Sequence, residues 1–244
     1  MDWHKRFVQQ AGWTEKLRHH LFSDARLSSA QRVLEVGCGT GAVLSTMPVT
    51  AEIHGLDLDR GRLAEAYGNV PRSQLICGEA LALPYLAGVF DIVFCHFLLL
   101  WVREPLLALL EMKRVVRPGG AVLALAEPDH LARVDEPAAL AQLGRWQTEA
   151  LRRQGADPGL GSRLADLFRQ AGIPVIEAGT LQADAAEQIP DESARRLEWE
   201  VLQNDLYGFV PQRELERLKA VDELAWERGI RRLHVPTHFA WGRA

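Results

Sequence analysis

The chain has 244 residues, enough to bury roughly three quarters of its unfolded surface, so it needs neither disulfides nor a metal to hold a core. Apolar residues make up 48% and charged residues 25%, the balance of a soluble globular protein. A net charge of −4 argues against a nucleic-acid binder, because phosphate contacts need a basic face, although it leaves room for a local basic patch. Three cysteines, Cys38, Cys77 and Cys95, form no Cys-x-x-Cys pair, which disfavours a zinc site or redox dithiol. The N-terminus lacks the apolar core of a signal peptide, and the apolar run Ile92–Val102 contains His96 and is too short to span a bilayer. A cytoplasmic protein that does not act at a membrane is expected.

Taken in order, residues 2–24 carry a loose apolar stripe of Phe7, Ala11, Leu17, Leu21 and Phe22 and read as a helical arm. The arm either packs on the core or forms a lid over a pocket. Val33–Val36 reads as a strand interrupted by Glu35. Glycines follow at 37, 39 and 41, then Ala42, Val43 and Met47 at helical spacing. That is strand, tight turn, helix, and a helix N-terminus there would offer unpaired N–H groups to an anionic group. Ile53–Leu58 is a second strand, Asp59–Tyr67 a helix, Gln74–Cys77 a third strand and Phe90–His96 a fourth. Pro105 opens a helix through Val116, which Arg117-Pro118-Gly119-Gly120 breaks before a fifth strand, Ala121–Ala126.

Past 130 the rhythm changes. Helices are expected over Glu136–Gln154, into Arg169, over 191–207 and over 212–228, with strands at Ile173–Leu181 and Thr237–Gly242. One folding unit over 1–244 is expected: arm 2–24, cofactor-binding core 30–130, substrate-side helices 131–172 and 184–234, and a last strand 237–244. Strands separated by helices imply right-handed crossovers and a parallel sheet covered on both faces. Gly37, Asp57, Glu79, His96 and Glu127 all fall at carboxyl ends of strands, where such sheets bind ligands.

Two ligands compete for the glycine turn. Gly37-x-Gly39-x-x-Ala42 satisfies the dinucleotide fingerprint, with Asp57 twenty positions beyond Gly37. Yet Glu35 lies two residues before the first glycine, where a pyrophosphate would meet an acid. A ligand carrying an ammonium, a ribose and an adenine-like ring suits Glu35, Asp57 and the Glu79-Ala80 pair better.

Over 32–127 the chain resembles the S-adenosylmethionine-dependent methyltransferases of the small-molecule branch. The resemblance rests on Val-Leu-Glu-Val-Gly-Cys-Gly-Thr-Gly, Gly-Leu-Asp-Leu-Asp, Gly-Glu-Ala-Leu-Ala-Leu-Pro, Phe-Asp-Ile-Val-Phe-Cys-His and Met-Lys-Arg-Val-Val-Arg-Pro-Gly-Gly. It implies an α/β, Rossmann-like doubly wound fold with a seven-stranded, mostly parallel sheet, its last strand reversed, plus the helical arm and a C-terminal helical cap insertion. The implied cofactor is S-adenosyl-L-methionine. Gly37, Cys38 and Gly39 would line its methionine part, with Gly41 completing the turn and Glu35 orienting turn and ammonium. Asp57 would accept from the ribose hydroxyls, Leu58 would pack on the adenine, and Glu79 with the Ala80 amide would read its edge. Many relatives carry Asp where this chain has Glu79. Cys95 and His96 would flank the sulfonium.

Methyl transfer from a sulfonium is an in-line displacement, and alignment of the acceptor is most of the enzyme's work. Where the nucleophile must lose a proton, His96 is the first candidate base, then Glu127, with His130 and Tyr207 behind them. Neither an Asn/Asp-Pro-Pro-aromatic run after the fourth strand nor a Pro-Cys nucleophile occurs, which disfavours nucleic-acid methylation. Trp146, Trp199, Trp226 and Tyr207 in the cap suit an apolar or aromatic small-molecule acceptor, or simply the core of the cap. Pro236 between His234 and His238 spoils the helix that would align them on a metal. The alternatives are a non-catalytic cofactor-binding protein and an NAD(P)-dependent oxidoreductase.

Overall fold

The computed structural model describes residues 1–47, 50–181 and 191–244. Residues 184–190 of the expected cap therefore lie outside the described residues. The arm is two helices, α1 (Trp3–Trp13) and α2 (Glu15–Asp24), and not one. They part at Thr14, whose backbone leaves the helical region at φ −106°, ψ 4°. The guanidinium of Arg18 donates to the Ala11 carbonyl and so satisfies the open C-terminal end of α1.

β1 (Arg32–Val36), β2 (Glu52–Asp57), α3 (Arg60–Asn69), β3 (Gln74–Cys77), β4 (Phe90–Cys95), α4 (Pro105–Val115) and β5 (Val116–Pro128) follow. The expected helix after the glycine turn does not form. Leu44–Thr46 makes a single 3-10 turn, and Met47 is already extended at φ −75°, ψ 148°. Met47 precedes Pro48 in the sequence, and the proline ring disfavours helical geometry at the residue before it. A ligand at this turn therefore meets glycine amides and not a long helix dipole. α3 begins where Asp59 accepts from the Gly61 and Arg62 amides, and α4 begins on Pro105. β5 starts five residues earlier than expected, because the Arg117–Gly120 segment is taken up as a register shift between the Phe90↔Val116 and Ile92↔Ala121 pairs.

The second half adds β6 (Val134–Glu136), α5 (Ala141–Arg153), α6 (Leu164–Gln170), β7 (Val175–Thr180), α7 (Glu192–Leu206), α8 (Gln212–Glu227), β8 (Arg232–His234) and β9 (Thr237–Arg243). The large sheet runs β3-β2-β1-β4-β5-β9-β7. β1 to β5 are mutually parallel, and β9 lies antiparallel between β5 and β7. This is the expected seven-stranded sheet with its reversed last strand. The two-stranded β6–β8 ribbon was not expected: three-residue strands are too short to show a period of two, and Glu136 had been assigned to a helix.

Apolar side chains pack on both sheet faces. Leu34, Val36, Val93 and Val122 join Leu109 and Met112 of α4 and Phe168 of α6. Val33, Ile92 and Leu123 join Leu21 and Phe22 of α2 and Leu63 of α3. A third core, with Leu143, Trp199, Leu202, Leu206, Leu215 and Leu218, holds α5, α7 and α8 to each other. Strand order reverses between β1 and β4, so the crevice of the sheet opens beyond Val36 and Cys95. No helix among the described residues is long and apolar enough to cross a membrane.

Candidate functional site

A cavity of about 2470 Å³ opens at that crevice and continues under the arm to α5, α7 and α8. Single-ligand pockets run roughly 300–1,000 Å³, so this volume accommodates two ligands side by side. Glu35, Gly37, Cys38, Gly39, Asp57, Leu58, Glu79, Ala80 and His96 line it. They come from the ends of four strands that sequence order alone brings into register.

The turn is built for close approach. Gly37, Gly39 and Gly41 have φ of +77°, +53° and +81°, which a side chain rarely tolerates. A Cβ on Gly37 would stand 2.7 Å from Leu98, and one on Gly39 would stand 3.0 Å from Phe7 of the arm. Gly41 faces Val70 and Ala66 instead, so its place is in packing the turn against α3 and not along the cavity. Asp57 is buried and staples the turn to β2: Oδ2 accepts from the Gly39 amide at 2.8 Å and Oδ1 from the Asp59 amide at 2.9 Å. Each oxygen keeps a second lone pair for a ligand hydroxyl.

Beneath the turn, Glu35 is 2% exposed and its Oε2 has no hydrogen-bond partner among the described residues. Burial drives its carboxyl pKa well above the usual range, opposed by the nearby Arg18. Burial also pushes the Cys38 thiol up, so Cys38 lines the cavity as a thiol and not a thiolate. Cys95 lies outside the cavity, fully buried among the apolar side chains of the β4 face.

His96 follows β4, with Nε2 2.9 Å from the Thr14 hydroxyl. The His96 ring also lines the cavity. Burial, with a smaller push from Arg18, lowers its pKa to about 3; His130, which also lines the cavity, is lowered by burial to about 4. Both imidazoles stay neutral in the fold, whereas an unfolded chain protonates them below about 6.5. The stability they contribute is whole above that pH and drains as pH falls toward 4 and 3.

Glu127 does not line the cavity, and its role as a base falls away for a geometric reason. Its carboxylate accepts from the amides of Leu98 at 3.0 Å, Leu99 at 2.9 Å and Leu100 at 3.1 Å. Burial pushes its pKa up to about 7, while those three amides pull it down. The carboxylate anchors the corner after His96, where Phe97 adopts φ +52°, a strained value for a side chain of that size. Glu127→Gln keeps one acceptor oxygen and is expected to cost about 1–3 kcal/mol in denaturant unfolding while leaving ligand affinity at the glycine turn unchanged. Tyr207 is 90% exposed and takes no part in the cavity. Trp199 does both jobs considered for it, since it is buried in the cap core and also lines the cavity; Trp226 lines the cavity, and Trp146 packs on the cap core.

Several contacts had no sequence signal. The arm is seated by His4 Nδ1 on the Thr40 hydroxyl at 2.8 Å and by Arg6 on Glu198 of α7 at 2.7 Å. A buried charge network of Arg133, Asp135, Asp222 and Arg231 underlies the cap. The pair that joins its two halves, Arg231 and Asp135, is 96 residues apart in the chain, so no local spacing reveals it.

The chain is 30% identical over 239 residues to a malonyl-(acyl-carrier protein) O-methyltransferase of Erwinia pyrifoliae, a match covering 92% of this chain and 82% of that protein. The chain belongs to the S-adenosylmethionine-dependent methyltransferases. S-adenosylmethionine is the methyl donor of this methyltransferase. The family profile described as a methyltransferase domain matches residues 34–124, which run from β1 into β5. A demethylmenaquinone methyltransferase of Renibacterium salmoninarum is 36% identical over 126 residues, half of this chain and 52% of its own length. Phosphoethanolamine N-methyltransferase 2 of Haemonchus contortus, solved with phosphomonomethylethanolamine and S-adenosylhomocysteine, superposes with a TM-score of 0.56 at 17% identity. That alignment covers 87% of this methyltransferase and 48% of the other chain, and it speaks for the fold. The two cavity-facing glycines, which leave no room for a Cβ, and the unpartnered buried Glu35 oxygen fit a donor with an amino-acid tail.

Proposed function

We propose that this methyltransferase transfers the donor's methyl group to an oxygen of a small, largely apolar or aromatic acceptor held in the cap half of the cavity. The observation that carries this reading is one continuous cavity lined by the glycine turn and by Trp199 and Trp226 of the cap helices. Oxygen is favoured because the relative matched along most of the chain is an O-methyltransferase. On this reading Gly37, Cys38 and Gly39 receive the methionine part, Asp57 the ribose hydroxyls, Leu58 the adenine face, and Glu79 with the Ala80 amide its edge. Bound S-adenosylmethionine supplies an electrophilic methyl on a sulfonium.

The chain's own task is alignment and exclusion of water. His96 would align the acceptor by accepting a hydrogen bond from its O–H, and the ring would take that proton once the oxygen is methylated. A conjugate acid with a pKa of about 3 makes His96 a hydrogen-bond acceptor that aligns the O–H, and only a weak base.

Labelled S-adenosylmethionine and a cell extract test the reading. Wild-type protein is expected to pass label to a low-molecular-weight product, and His96→Ala to lower that transfer about a hundredfold with donor affinity unchanged. Label that binds but never transfers would favour a cofactor-binding protein instead. The rate should show no inflection near pH 6.5 from His96, because that group titrates near 3 in the fold. A limb at pH 6–7 that vanishes in His96→Ala would contradict it.

A further inference from the structure

We infer that Thr14 is a positioning residue that fixes the tautomer of His96, so that the arm supplies one half of the acceptor-aligning device. This rests on the reading of His96 given above. Four contacts meet at the break between α1 and α2. The Thr14 hydroxyl lies 3.2 Å from the Ala11 carbonyl and 2.9 Å from His96 Nε2. Arg18 Nη1 lies 2.7 Å from the same hydroxyl and also donates to the Ala11 carbonyl. Thr14 is fully buried, so water does not compete for these positions.

Proton counting decides the arrangement. A hydroxyl has one proton and two lone pairs, a carbonyl only accepts, and a guanidinium only donates. The Thr14 hydroxyl donates its proton to the Ala11 carbonyl. Arg18 takes one lone pair of the hydroxyl. What remains for His96 is the other lone pair, so Nε2 must carry the ring proton and donate it. In a neutral imidazole the second nitrogen, Nδ1, is then bare, and the ring that carries it lines the cavity. Thr14 with Arg18 thus presents a lone pair, and not an N–H, to an incoming O–H.

The same arm covers the donor turn, since Phe7 stands over Gly39 and His4 bonds to Thr40. Seating the arm and orienting the imidazole are one event. Phe97, strained and with its ring 4.8 Å from that of His96, holds the histidine from the other side.

The test is nitrogen-15 NMR of the full chain at pH 7.5, with and without saturating S-adenosylhomocysteine, the His96 signals being assigned by their loss in His96→Gln. Wild type is expected to show Nε2 protonated and Nδ1 bare. Thr14→Val, which keeps the shape and removes the hydroxyl, is expected to lower the Nε2–H population from nearly all to about half or less. Thr14→Ser is expected to restore it. A wild-type ring protonated on Nδ1 would overturn the inference without any variant, as would an unchanged ring in Thr14→Val. The outcome is separate from that of the catalytic reading: loss of label transfer in His96→Ala speaks to His96 as the aligning group, whereas the ring tautomer speaks to Thr14.

Discussion

Replacing Arg231 with leucine is expected to destabilise the fold by about 3–5 kcal/mol, read as a shift in the denaturant midpoint. Arg231 is 7% exposed and bonds to two buried carboxylates, to Asp222 through Nε and to Asp135 through Nη2 at 2.7 Å, while Nη1 reaches the Glu136 carbonyl at 3.2 Å. Asp135 would keep Arg133, which grips it through Nε at 2.7 Å and Nη2 at 3.0 Å. Among the described residues, Asp222 would keep only the Trp199 indole N–H at 2.8 Å. The cost comes from leaving a carboxylate desolvated with half its partners gone, and much less from the bridge itself. Adding Asp222→Leu to Arg231→Leu should therefore recover a large part of the loss, since the uncompensated charge goes with it. A single variant within 1 kcal/mol of wild type, or a double variant that is additive, would show that the network is not buried in solution. The readout also bears on function, because the network joins β6, β8, α7 and α8 and so sets the wall of the acceptor half of the cavity.

The second large effect is expected at the donor end. Asp57→Ala should raise the dissociation constant for S-adenosylhomocysteine by about a hundred- to ten-thousandfold in calorimetry. Two hydroxyls donating to one carboxylate contribute about 1.5–3 kcal/mol each, and each 1.4 kcal/mol is tenfold in affinity. The variant also releases the Gly39 and Asp59 amides, so the turn loses its staple as well as its ligand contact. Asp57→Asn keeps the size and one acceptor oxygen and should fall between the two. A change of less than threefold in Asp57→Ala would remove Asp57 from the donor site.

How much of this could be read from the chain follows from how far apart the interacting residues lie. Strand ends and turns are local objects. Val33–Val36 with its glycines, the twenty-residue step to Asp57, and the Glu79-Ala80 pair each sit in a short window, and the parallel order of the strands brings them to one crevice without further information. His96 was legible for the same reason, as the first residue past a nearly continuous apolar strand. Where the expectation failed, a nonlocal contact decided at Glu127, and local features decided at Cys95 and after the glycine turn. Glu127 sits at a strand end like the others, yet the corner after β4 takes up its carboxylate, and Cys95 is turned by strand alternation into the apolar layer beside His96. The helix that the hydrophobic spacing predicts after the glycine turn yields to Pro48, which leaves a single 3-10 turn.

The sequence by itself determined the sheet, its crevice and the donor-side residues that line it, because hydrophobic period, glycine and proline act within a few residues of themselves. Only the tertiary structure decided what stands over that crevice. The Thr14 hydroxyl meets His96 from 82 residues away, Arg6 meets Glu198 from 192, and Arg231 meets Asp135 from 96. Such pairs leave no periodic trace. They form because burying a charge or a hydroxyl demands a partner from whichever segment the fold has brought alongside.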